Sequence, residues 1–130
     1  MNWYHDTENE PVILIIDDEF SLVRALERKL HRRGFLVEGT SNPSKLPILL
    51  KDPSIKCVIT DYMMPGFTGD RVLELVQKQR PDVAVIVITA YGTAENVMRV
   101  ARAGNPVRIL LKPWEEGDLI DAIRDALDPL

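Results

Sequence analysis

The chain has 130 residues, 45% of them hydrophobic, and a formal net charge of −4. That length suits one domain with a real core and argues against two domains or a disordered chain. The acidic balance speaks against a nucleic-acid-binding surface, and no apolar run reaches the ~20 residues of a membrane span. Cys57 is the single cysteine, so no internal disulfide forms. With no signal-peptide apolar region at the start, the expected location is the cytoplasm.

Residues 1–10 read as a tail in which Trp3 and Tyr4 stand out, and residues 11–128 as the domain. Residues 12–16 form a continuous apolar run, as in a strand buried on both faces. Residues 19–33 set Leu22, Val23, Leu26 and Leu30 on one helical face, and Gly34 stops the helix. A weaker strand follows at 35–39. Asn42 caps the next helix, over 43–51, with Pro43 in its first position, but Pro47 removes a backbone donor and predicts a short or broken segment. The third strand covers 56–60. A helix over about 69–79 starts at Thr68 and turns Val72, Leu73 and Val76 inward. Residues 83–88 make the most apolar strand. Thr93 caps a helix running to Ala103, stopped by Gly104. The fifth strand spans 107–111, and the last helix, about 115–127, carries Leu119, Ile123 and Leu127 at i, i+4 spacing.

Five strands alternating with five helices, the second irregular, predict an α/β fold: a doubly wound parallel sheet in the order 2-1-3-4-5. Such sheets place their sites outside the carboxyl ends of the strands. There the sequence puts Asp17, Asp18 and Glu19 after strand one, Asp61 after strand three, Thr89 after strand four and Lys112-Pro113 after strand five. Each has a structural explanation when read singly. Asp18 can cap a helix, Asp17 and Asp61 can serve turns, Thr89 can be a solvated hydroxyl and Lys112 a surface cation. Their convergence from four strands favours chemistry instead. Asp17, Asp18 and Asp61 crowd negative charge that a hard divalent cation such as magnesium relieves, and Lys112 and Thr89 suit phosphate oxygens. Asp61, alone on the central strand, is the natural nucleophile for an aspartyl phosphate. Pro65, Gly66 and Gly69 shape the loop after it. Met63 and Met64 read as packing residues, with the Met63 backbone carbonyl a further candidate for the metal.

The motifs "IIDDE" at 15–19, "DYMMPGFTG" at 61–69, "TAYG" at 89–92 and "LLKPW" at 110–114 resemble the receiver domain of two-component response regulators. The resemblance covers roughly residues 11–128 and implies the flavodoxin-like fold. It implies that Asp61 accepts a phosphoryl group from a sensor histidine kinase or phosphotransfer protein. Asp18, Asp61 and the Met63 carbonyl would ligate Mg2+, and Asp17 would hold it through water. Lys112, Thr89 and the Ala90 N–H would meet the phosphoryl group, and the Lys112–Pro113 bond is often cis in this family. Thr89 is implied as the switch hydroxyl. The family usually has an aromatic residue in the fifth strand where this chain has Ile109, and "AGNPVRILLKP" is one residue longer than the common pattern. The readout is therefore expected to differ from the aromatic swing. Tyr91 and Met63 stand where family members tune dephosphorylation.

The implied protein is a switch that catalyses its own modification, with no separate substrate. An output domain in a longer chain and a phosphorylation-dependent homodimer are its expected partners; neither nucleic acid nor membrane is contacted by this domain. Arg99, Arg102, Arg108, Asp121 and Arg124 form the candidate docking face. Two alternatives stay open: a degenerate receiver acting only as an interaction module, and a metal-dependent phosphatase with an aspartate nucleophile. The second usually needs an acid at the position of Met63.

Overall fold

The structure, a computed structural model, describes residues 10–90 and 107–127. Trp3 and Tyr4, the helix expected from Thr93 to Ala103, and Tyr91, Arg99 and Arg102 lie outside the described residues.

The strands are β1 (Val12–Ile16), β2 (Leu36–Thr40), β3 (Ile55–Asp61), β4 (Ala84–Thr89) and β5 (Val107–Leu111). They form one parallel sheet in the order β2-β1-β3-β4-β5, as the alternation of apolar runs and helical periods predicts. The described α-helices are α1 (Phe20–Arg32), α2 (Leu46–Leu49), α3 (Gly69–Gln79) and α4 (Glu116–Leu127).

Because successive side chains of a strand point to opposite faces, the sheet feeds two cores. Leu14, Ile16, Val58, Val85 and Val87 pack with Leu46 of α2 and with Val72, Leu73 and Val76 of α3. Ile13, Ile15, Cys57, Ile59, Ile86 and Ile88 pack with Val23 and Leu30 of α1 and with Leu119, Ile120 and Ile123 of α4. β4 is buried along its whole length, as its unbroken apolar sequence requires. The Cys57 thiol, enclosed here, is pushed up to about 12 by burial and is chemically quiet.

The segment after β2 breaks as Pro47 predicts. A 3-10 turn, Pro43–Lys45, precedes the four-residue α2, and the Asn42 side chain accepts from the Ser44 N–H at 3.2 Å. One expectation is corrected. Leu22 is 45% exposed instead of packed inward. Asp18 does not cap α1: Glu19 holds that position, and the Asp17 carboxylate accepts from the Glu19 N–H at 3.0 Å. Thr68 stands at the head of α3 without a side-chain capping bond.

The edge of the sheet opposite the strands' carboxyl ends is fastened by Arg80. Its guanidinium donates to the carbonyls of Leu50, Asp52 and Ile55, each at 2.9 Å, and pairs with Asp82 at 3.1 Å. One side chain thereby ties the end of α3 to the chain leading into β3.

Candidate functional site

β1 and β3 are neighbours, so their carboxyl ends deliver Asp17 and Asp61 side by side, with Asp18 next in the chain. Oxygens of the three carboxylates lie within 4.8 Å of one another. Asp17 and Asp61 are half-buried and Asp18 is exposed. The Asp17 carboxyl is pushed up to about 6, first by burial and then by the charges of Asp61 and Asp18; the Glu19 N–H and Lys112 pull the other way. Three hard oxygen donors in such proximity, partly open to solvent, fit a divalent cation that keeps some of its water.

β5 brings the opposing charge. The Lys112 Nζ stands 3.4 Å from the Asp61 Oδ2. That separation exceeds the ~2.7–2.9 Å of a tight charge-assisted bond, so the ammonium is close without being locked. The Lys112 N–H donates to the Thr89 carbonyl at 2.8 Å, which joins the ends of β4 and β5. Thr89 is buried at its strand end, Ala90 follows it exposed at the rim, and the Lys112–Pro113 bond is cis. The structure thus gathers Asp17, Asp18, Asp61 and Lys112, and ends β4 with Thr89 alongside.

The loop after Asp61 is held from within. The Gly69 N–H donates to the Tyr62 carbonyl at 2.7 Å and the Phe67 N–H to the Met64 carbonyl at 3.1 Å. Gly66 sits at φ +71°, a conformation that other residues rarely adopt. A Cβ on Gly69 would lie 2.7 Å from Tyr62 Cδ1 and 3.0 Å from Tyr62 Cα, so only glycine lets the start of α3 approach the chain beneath. Met64 is buried as expected; Met63, expected to pack, is instead 53% exposed, because it stands at the open mouth of the loop.

Sequence reasoning missed three contributions. Tyr62 is buried and its hydroxyl donates to Asp70 at 2.9 Å, anchoring the loop to the first turn of α3. Strand alternation gives the available clue, since it turns Tyr62 away from the face of Asp61. Trp114 and Glu116, just beyond Lys112, meet Lys29 and Arg33 of α1. Pairs so distant in the chain leave no local signal. In the position of the usual aromatic, Ile109 is half-buried against the α2–α3 core, and neighbouring Arg108 forms an ion pair with Asp125. Asp121 and Arg124 are exposed.

Comparison with known proteins agrees with this arrangement. The family model of the response regulator receiver domain matches residues 13–124. The response regulator protein FleR of Pseudomonas aeruginosa is 32% identical over 120 residues, covering 91% of this chain and 25% of FleR. The hydrogenase transcriptional regulatory protein HoxA of Cupriavidus necator is 29% identical over 122 residues, covering 94% of this chain and 25% of HoxA. The chain therefore spans about a quarter of the length of these curated relatives. A crystal structure of a response regulator receiver domain protein from Clostridium thermocellum superposes with a TM-score of 0.83 at 32% identity, covering 91% of this chain and 94% of that one. The chain belongs to the response regulator receiver domain family, whose members are signalling switches and not classical enzymes. No described helix is long and apolar enough to cross a membrane.

Proposed function

We propose that residues 11–128 form a phosphorylation-dependent switch in which Asp61 is the phosphoacceptor. A carboxylate oxygen of Asp61 attacks phosphorus, and the bond from phosphorus to the donor's leaving nitrogen or oxygen breaks as the aspartyl phosphate forms. Asp18, Asp61, the Met63 backbone carbonyl and, through water, Asp17 would hold Mg2+. When bound, that cation supplies positive charge to the transferring phosphoryl oxygens. Lys112 offers them its ammonium, and the Thr89 hydroxyl and Ala90 N–H offer hydrogen bonds.

The observation that carries this reading is the approach of Lys112 to Asp61 at 3.4 Å inside a cluster of three carboxylates. A cation site alone gains nothing from an ammonium beside one of its ligands; a phosphoryl site needs both charges. The domain catalyses its own modification with a sensor histidine kinase or phosphotransfer protein as donor, in the cytoplasm. FleR and HoxA are named as regulators, the latter transcriptional, which supports an output domain of that kind in a longer chain. Phosphorylation-dependent dimerisation is the second route to an output. Met63, two residues after Asp61, has no proton to donate, so turnover of an external phosphomonoester is not expected.

Intact mass after incubation with acetyl phosphate and magnesium tests the reading. One phosphoryl adduct is expected, absent from Asp61→Asn and from a sample with EDTA. No adduct on a wild type that binds magnesium would leave only an interaction module.

A further inference from the structure

Lys112 is delivered by a segment that borders an open cavity. A cavity of about 600 Å³ separates α1 from the stretch Lys112-Pro113-Trp114; Ile15, Leu26, Ile59 and Ile88 line it. Asp61 and Lys112 also stand on its wall. Leu22, which is exposed, also borders the cavity.

Besides the Lys112 N–H bond to the Thr89 carbonyl and the packing of Trp114 on the core between α1 and α4, a set of charged contacts just after Lys112 restrains the segment. The half-buried Trp114 ring lies under the Lys29 ammonium, 5.8 Å from centroid to Nζ. The same ammonium is 3.7 Å from a Glu116 oxygen. The other Glu116 oxygen accepts from the Arg33 Nε at 3.0 Å and from its terminal nitrogen. Lys29 and Arg33 are one turn apart at the end of α1, so they present a pair of cations to the head of α4. Glu116 also lies in the first turn of α4, where a negative charge is favoured.

We infer that Trp114 and Glu116 are positioning residues for Lys112: their clasp with Lys29 and Arg33 sets where the Lys112 ammonium stands relative to Asp61. The inference rests on the reading of Lys112 as a phosphate-binding group. The pairs are partly exposed, and such pairs contribute little to global stability. Their value is in placement, since a misplacement of about 1 Å at a reacting centre can lower a rate ~100-fold. The aspartates follow β1 and end β3, and take no part in the clasp.

That division gives the test. Calorimetry measures magnesium affinity, and then the affinity for beryllofluoride, a phosphoryl mimic, at saturating magnesium. The proteins are wild type, Trp114→Ala, Trp114→Phe and Glu116→Gln. Magnesium affinity should stay within about twofold throughout, because a clasp variant leaves the carboxylates in place. Beryllofluoride affinity should fall ~10-fold in Trp114→Ala, as when the residue behind a ligating group is removed. It should fall about threefold in Glu116→Gln, in keeping with a partly exposed ion pair, and Trp114→Phe should retain most of it. Wild-type affinity for beryllofluoride in both Trp114→Ala and Glu116→Gln would overturn the positioning role while leaving Asp61 as phosphoacceptor. A parallel loss of magnesium and beryllofluoride would overturn it too, by showing general disruption. A wild type that binds magnesium and no beryllofluoride would sink the underlying reading with it. Should Trp114→Ala fail to fold, the partly exposed Glu116→Gln decides.

Discussion

Asp17 is the residue of the carboxylate cluster whose ionisation the fold resists. Its carboxyl is raised from 3.8 to about 6, chiefly by burial, with Asp61 and Asp18 adding repulsion. A group raised in this way favours the native state while protonated. Its contribution is full below the unfolded pKa near 4 and is lost as pH rises through about 6. At roughly 1.36 kcal/mol per pKa unit, the shift has a ceiling of about 3 kcal/mol, and the half-exposed setting reduces this to ~1–2 kcal/mol. Asp17→Asn removes the charge and keeps an oxygen for the Glu19 N–H. Urea unfolding in the presence of a chelator, from pH 4.5 to 8, measures the difference. At pH 8 the variant should be more stable than wild type by ~1–2 kcal/mol, with the margin closing toward pH 4. Asp52 and Asp82, whose pKa values are lowered, act below that window and cancel in the comparison. Saturating magnesium should stabilise wild type and shrink the margin at pH 8. A margin that does not change with pH would refute the assignment of the strain to Asp17.

Arg80→Met strips partners from three carbonyls, two of them partly buried, and should lower stability by about 2–4 kcal/mol while Asp61 is still phosphorylated. Arg80→Lys should recover only part, because an ammonium cannot reproduce the planar fork; full recovery in urea titrations would contradict that account. Gly69→Ala should destabilise by about 1–3 kcal/mol in a thermal melt despite alanine's higher helix propensity, since the added methyl meets the Tyr62 backbone. A rise in melting temperature would show that the close approach relaxes freely. Lys112→Ala should slow acetyl phosphate labelling of Asp61 ~100-fold while magnesium binds as well as before or slightly better, because a competing cation 3.4 Å away is gone. Weaker magnesium binding would mean that Lys112 supports the carboxylates instead of opposing them.

Most of the fold is legible because the strands are short apolar runs between helical periods. β5 runs over the residues expected, and β1 and α3 do too, because Ile13, Ile15, Val72 and Val76 have only one way to be buried. The failures are places where tertiary space decides. Nothing local in α1 says that Leu22 borders a cavity while Val23 does not. A side chain able to cap is not obliged to, and Thr68 holds the N-cap position of α3 without a side-chain bond. At the site, the residue types and their strand-end positions were enough to bring four charged groups to one rim. The clasp of Trp114 and Glu116 on α1 was not legible, since it depends on two helices, far apart in the chain, meeting on one face of the sheet.

The Arg80 knot lies at the pole of the sheet remote from Asp61. One guanidinium there closes off backbone groups that would otherwise need several separate partners. The two ends of β3 are therefore held differently: one is riveted by a single side chain gripping main-chain atoms, the other carries the side chains of the site. Substitutions at the site end can change its charges without loosening the rivet. That separation lets a single scaffold be re-specified for new signalling circuits while its folding problem is solved only once.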